Sequence, residues 1–212
     1  ASNSVQPDTS AVGTNSGAVN GATWFSTFSG QYQFDGVNDS ITNGNTALLN
    51  GATSVTLMVW MYGTTNAGGM IFDSPLSSFE SGGTWSGCFI DYRNDSGTQI
   101  GGLMVDSAGL FSLAETAAGD FSTSTWHHVV YTWKKTGGDN HIYIDAVEKT
   151  VLPTESAINN AAQTVGMCAG QDFSAGGGRW YSGTLGQVVI WKNFEATSSD
   201  VTNIYNGTGG PY

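Results

Sequence analysis

The chain has 212 residues, of which 39% are hydrophobic, only 11% are charged and 30 are Gly, and its net charge of −11 comes from 6 Lys and Arg against 17 Asp and Glu. So small a cationic complement excludes nucleic acid and anionic lipid as partners, since phosphate-rich surfaces are met by clusters of Lys and Arg. No apolar run approaches the roughly 18 residues that would insert in a membrane.

The length suits one domain with a full core. Scarce Lys and Glu beside abundant Gly, Thr, Ser and Asn favour strands and turns over helices. Residues 1–31 hold few anchors (Val5, Val12, Trp24, Phe25, Phe28) and read as an N-terminal arm or irregular lead-in. Their start, ASNSVQPDTSAVG, lacks the basic residue and apolar stretch of a signal peptide. The expectation is that a leader has already been removed, or that a cytoplasmic product has lost only its initiator Met.

From residue 32 onward, short apolar runs alternate with turn residues: YQFDG (32–36), SIT (40–42), SVTLMVWMYG (54–63), GMIFDS (69–74), GCFIDYRN (87–94), QIGGLMVDS (99–107), LFSLAE (110–115), QTVGMCAG (163–170) and TLGQVVIWKNF (184–194). These read as strands. In 54–63, Val55, Leu57, Val59 and Met61 share one face and Thr56, Met58, Trp60 and Tyr62 the other, which predicts an interior strand. WHHVVYTWKK and HIYIDAV, joined by Thr-Gly-Gly-Asp-Asn, read as a hairpin. Alternation there puts Val129, Tyr131 and Trp133 opposite Trp126, His128, Val130 and Thr132. His127 and His128 therefore point to opposite faces and cannot share one metal ion. ATSSDVTNIYNG (196–207) predicts a helix, with Thr197 or Ser198 as cap, Asp200 in the first turn, a Val201/Ile204/Tyr205 face and Gly207 as its stop. Roughly a dozen short strands and one late, short C-terminal helix over 32–212 predict an all-β antiparallel sandwich. Cys88 and Cys168 lie in no metal-binding spacing, and whether they pair is left open by the sequence.

Four stretches in order, FDGVNDSI (34–41), VTLMVWMYG (55–63), WHHVVYTWKK with NHIYIDAVEK (126–149) and SGTLGQVVIWKNFEATSSDVTNIYNG (182–207), resemble laminin-G-like jelly rolls. These form the pentraxin-like branch of the concanavalin A-like lectin/glucanase superfamily. The resemblance covers residues 32–207. It implies a two-sheet jelly-roll sandwich whose first and last strands lie side by side, with Phe34 near Val189 and Trp191. Three departures stand out. Ala146 replaces the usual Gly of an Asp-Gly turn, so that turn is expected to differ, because Ala tolerates a left-handed conformation poorly. The acidic residue usual in the last strand is replaced around Gln187 and Val188. The segment 1–31 has no counterpart.

No catalytic set emerges. Glycosidases of the superfamily carry paired carboxylates on one strand, whereas Glu80, Glu115, Glu148, Glu155 and Glu195 are scattered singly. The chain is therefore expected not to be an enzyme. Calcium is the expected cofactor, with Asp35, Asn38 and Asp39 as ligands beside a Gly turn; the same residues also simply make turns. A ligand site is expected in loops, using Trp85, Tyr92, Arg93, Asp95, Asp172, Arg179, Trp180 and Tyr181, with flat rings for sugar faces and charged groups for polar contacts. Trp60, Trp126, Trp133 and Trp191 belong to strands as core or sheet surface. Two functions fit. One is a non-catalytic module binding a glycan or another surface ligand, outside a cell or on a virion. The other is a structural or decoration protein of a viral capsid or tail, docking to a shell or tail protein or to itself through its N-terminal arm.

Overall fold

Strict alternation in the two longest hydrophobic segments organises the molecule. In a computed structural model, which describes residues 5–6, 16–26, 30–43, 49, 51–64, 69–75, 87–93, 98–105, 111–135, 140–151, 167–169 and 180–208, these segments become β6 (Ser54–Gly63) and β11 (Trp126–Lys134). They pair antiparallel along their whole length, Trp126 opposite Tyr62 and Lys134 opposite Ser54.

Around that pair a seven-stranded sheet is built from β3 (Thr23–Phe25), β4 (Gln31–Asp35), β12 (Asn140–Ile144), β13 (Val147–Glu148) and β15 (Ser182–Lys192), in the order β13-β12-β11-β6-β15-β4-β3. The opposing sheet contains β1 (Val5–Gln6), β2 (Gly17–Asn20), β5 (Ser40–Asn43), β7 (Gly69–Pro75), β8 (Gly87–Arg93), β9 (Gln99–Val105), β10 (Phe111–Glu115) and β14 (Met167–Ala169). Its order is β1-β2-β5-β14-β7-β8-β9-β10. Paired neighbours are antiparallel, so the jelly-roll sandwich expected from the sequence is the fold.

The core fills the space between the inner faces. Val55, Leu57, Val59 and Met61 of β6 and Val129, Tyr131 and Trp133 of β11 meet Ile71, Ile90, Ile100 and Met104 of the other sheet. Tyr131 lies so close to β9 that a Cβ on Gly102 would fall 2.4 Å from its ring, so only glycine fits there. A buried polar link crosses the same space: the Tyr131 hydroxyl donates to Asn140 Oδ1 at 3.3 Å, and the Asn140 amide donates to Ser112 on the opposing sheet. Satisfied pairs of this kind fix how two sheets sit on each other, because a slip would strand buried polar atoms.

A second, smaller core lies on the outer face of the seven-stranded sheet, under α1 (Ser198–Tyr205). Met58, Val130 and Tyr143 of the sheet face Val201, with Trp191, Phe194 and Ile204 around them. The lead-in is fastened to β6: the buried Thr56 hydroxyl donates to the Phe194 carbonyl at 2.9 Å and accepts the Ala196 N–H at 3.0 Å. Thr197 caps the helix by accepting the Asp200 N–H, while the Asp200 carboxylate accepts the Thr197 N–H at 2.9 Å. The Thr197 hydroxyl donates to the same carboxylate at 2.6 Å, and this bond, with that from the Thr197 N–H, holds the Asp200 carboxyl below its ordinary range. Gly207, at φ +66°, ends the helix as the sequence predicted.

Three expectations need correction. Residues 17–25, within the segment read as an N-terminal arm or irregular lead-in, form strands of both sheets. β2 pairs with β5 in one sheet and β3 with β4 in the other, and Val19, Ala22 and Trp24 pack on the core. Strands of three or four residues carry too little periodicity to declare themselves. Next, Phe34 faces Gly183, not Val189 or Trp191. β4 does lie beside β15, but it reaches only Ser182–Leu185, and beyond Leu185 the last strand continues against β6 alone. Finally, the Asp145-Ala146 turn keeps the left-handed form, with φ of 53° and 65°, despite lacking glycine.

Candidate functional site

Most of the loop residues expected to bind ligand, namely Trp85, Asp95, Asp172, Arg179 and the side chain of Arg93, lie outside the described residues. Tyr92 and Tyr181, by contrast, belong to the core rather than to a ligand surface. Tyr92 is 1% exposed and packs 5.0 Å from the Phe121 ring. Tyr181 is fully buried, edge-on to Phe34, and its hydroxyl donates to the Tyr62 carbonyl at 3.0 Å. Burial pushes both phenols above their ordinary range. The signal for Tyr92 was available: Ile90 and Tyr92 stand two apart on one strand, and the face that takes Ile90 takes both. Trp180 is half-buried, its carbonyl packed against Gly69.

Asp35, Asn38 and Asp39 do come together, and the two carboxylates bind backbone. Asp35 Oδ1 accepts the Val37 N–H at 2.8 Å and the Asn38 N–H at 3.4 Å, and Asp39 Oδ2 accepts the Asp35 N–H at 2.8 Å. Asp39 is 6% exposed, and its burial outweighs that hydrogen bond, so its carboxyl is held above the ordinary range. Among the described residues, no three His, Cys, Asp or Glu side chains converge as a metal-binding group.

The histidine pair separates as alternation requires. His127 enters the inner face, 4.7 Å from Phe121, with Nδ1 2.7 Å from Asp145 Oδ2 and Nε2 2.8 Å from Ser122 Oγ. These are the distances of a Ser-His-Asp triad, a grouping that could not be located from residue letters alone. Here, though, the Asp145 Oδ1 also accepts the His128 N–H at 2.9 Å, and the Asp145 N–H donates to the His128 carbonyl at 2.9 Å. The set ties the loop before β11 to the turn after β12.

His128 enters the outer face, where an aromatic ledge continues beyond the end of α1. Trp60 lies 5.0 Å from His128 and stacks at 5.8 Å and 20° on Tyr205, the last residue of α1. One step along the sheet, Tyr62 and Trp126 pair at 5.9 Å. Trp60, Tyr62 and Trp126 are half-buried, and Tyr205 is 38% exposed. β15 bulges beside them: Leu185 opposes Met61 and Val188 opposes Val59, so that Gly186 and Gln187 together face Trp60. A Cβ on Gly186 would lie 3.3 Å from Trp60 Cβ and 3.7 Å from Trp126 Cζ3. The glycine therefore lets the strand pass close beneath the two tryptophans, and Gln187, its partner in the bulge, is exposed. The ring positions were legible as sheet surface; their exposure was not, because it depends on where the helix stops.

Residues 35–201 match the family model Laminin_G_3, concanavalin A-like lectin/glucanases superfamily. No curated protein sequence matches the chain. Among solved structures, the binding domain of botulinum neurotoxin serotype D is similar at a TM-score of 0.70 and 14% identity, over 95% of this chain and 48% of that one. Domain 4 of a GH43 extracellular arabinanase from Geobacillus stearothermophilus, in complex with arabinotriose, is similar at a TM-score of 0.61 and 13% identity, over 88% and 82%. The sialidase of Trypanosoma rangeli is similar at a TM-score of 0.61 and 15% identity, over 90% and 29%. At such identities the likeness is one of fold, and the chain spans less than half the length of the toxin and sialidase chains.

Proposed function

The chain belongs to the concanavalin A-like lectin/glucanase superfamily, and from that premise we propose that it is a non-catalytic recognition module that binds a glycan on its aromatic ledge, exposed outside a cell or particle. The observation that carries the reading is the half-buried Tyr62–Trp126 pair beside Trp60 and Tyr205 on the outer face of the sheet. Flat rings stack on the apolar faces of sugars, and a sheet holds them in fixed positions, so little entropy is lost on binding. Neighbours of the fold lend support: the arabinanase domain holds arabinotriose, and cell entry of botulinum neurotoxin type C depends on ganglioside molecules. Carbohydrate recognition is thus within the repertoire of the architecture, although a fold alone does not assign a function.

The test is binding of the full chain to a glycan array, followed by calorimetry with Trp126→Ala. Both are run with calcium and with chelator, since the Asp35–Asp39 turn is the place where calcium would act. Binding that is lost in Trp126→Ala, with the glycan recovered unchanged, supports the proposal. Binding that survives in Trp126→Ala moves the site elsewhere.

A further inference from the structure

The ledge also carries information on which sugars it takes. Resting on the glycan reading above, we infer that the ligand is an uncharged glycan, read at the bulge by the Gln187 side chain.

The first support is electrostatic. Tyr62, Trp126 and Trp60 supply neutral surface, and the charged groups near them among the described residues are carboxylates. Asp145 receives the N–H of His128, two residues along β11 from Trp126, and Asp35 lies opposite Ser182 at the start of β15. The described cations are remote or paired. Lys134 sits opposite Ser54, at the far end of β11 from Trp126, roughly 27 Å away at the usual strand rise. It binds Glu195 at 2.9 Å. Lys135 follows Lys134 beside Thr53, Lys192 lies at the far end of β15, and Lys149 binds Asp120 at 2.9 Å. A sialylated or sulfated sugar would meet like charge, within a chain of net charge −11.

The second support is the bulge itself. Placing two residues against one turns the strand locally and re-aims its side chains. Here it sets Gly186 and Gln187 together against Trp60, with Gln187 exposed. An amide both donates and accepts, which suits sugar hydroxyls and brings no charge. The Gln187 side chain is exposed, so its removal is not expected to disturb the core.

The experiment compares neutral oligosaccharides with their sialylated and sulfated counterparts at low salt, using the full chain and Gln187→Ala. The inference predicts that neutral sugars bind, that anionic counterparts bind at least about tenfold more weakly, and that Gln187→Ala weakens neutral binding by about tenfold, as one lost hydrogen bond would. Its thermal unfolding should stay unchanged. Equal or tighter binding of the anionic series overturns it. So does full affinity in Gln187→Ala where Trp126→Ala has lost binding; in both cases the glycan reading survives. If no glycan of either series binds, the glycan reading itself falls.

Discussion

The imidazole of His128 lies 5.0 Å from the indole of Trp60, fully buried, with neither ring nitrogen hydrogen-bonded within the protein. Burial lowers its pKa from 6.5 to about 4, and the Asp145 carboxylate only partly opposes this. The unfolded chain thus binds the proton more readily than the folded one between these values. The stability from keeping His128 neutral is present above pH 6.5 and is lost as pH falls toward 4, by roughly 3 kcal/mol in all. Denaturant midpoints at pH 7, 5.5 and 4.5 should fall more steeply for the native chain than for His128→Phe. Parallel curves would refute the assignment.

Ala146 is strained, at a turn position where the family resemblance implies glycine. Its φ of 65° matches that of a left-handed hairpin turn, and Asp145 before it is also left-handed at 53°. Asp145 is held there by its bonds to His127 and to the His128 backbone, which forces the turn on its neighbour. Ala146→Gly should therefore stabilise the protein by about 0.5–1 kcal/mol, the left-handed penalty less the added chain entropy of glycine. The check is the shift in urea midpoint. A destabilised variant would mean that the Ala146 methyl, which packs on the outer core, matters more than the strain.

The same turn shows what local sequence can and cannot convey. The faces of β6 and β11, the Thr197 cap and the Gly207 stop were legible, because each depends on residues a few positions apart. The sequence also flagged Ala146 as anomalous. It could not say which way the anomaly would resolve, since the answer lay in Asp145 being anchored to His127, 18 residues away. The bulge at Gly186 and Gln187 was hidden for a similar reason: it exists only in relation to Trp60 on another strand.

Cys88 and Cys168 should not be joined to each other by a disulfide. Cys168 on β14 lies opposite Asp73 of β7, and Cys88 on β8 lies opposite Ser74 of the same strand. The two thus flank β7. Two strand spacings put their backbones roughly 10 Å apart, beyond the roughly 7 Å that a disulfide spans. Thiol titration of the denatured, unreduced chain should count two; a count of zero would refute this register.

Deleting residues 1–31 should cost stability as well as any docking role. The cut removes β2, β3 and the Trp24 ring, which lies 4.9 Å from Tyr32 and packs against the core. Loss of a partly buried tryptophan with its two paired strands predicts a drop of about 3 kcal/mol or more. The comparison is thermal unfolding of that truncation against Trp24→Ala in the full chain. If both unfold with the native chain, the segment contributes no stability.

The Ser122–His127–Asp145 set is the strongest challenge to a non-catalytic function, and its connections argue that it holds structure. A triad histidine keeps Nε2 free to take the serine proton. Asp145 also carries the His128 N–H, and His127 Nε2 lies 3.0 Å from the Ser122 carbonyl as well as 2.8 Å from its hydroxyl. The imidazole is buried and packs on Phe121, so removing it would leave a cavity and lose the hydrogen bond to Asp145. His127→Ala is expected to cost about 2–4 kcal/mol in denaturant unfolding. Ser122→Ala, at an exposed position with one hydrogen bond to lose, should cost about 1 kcal/mol or less. A fluorophosphonate probe should leave Ser122 unlabelled in the native chain. Labelling that is abolished by His127→Gln, in a variant that still folds, would mean that the serine is activated and the protein is a hydrolase.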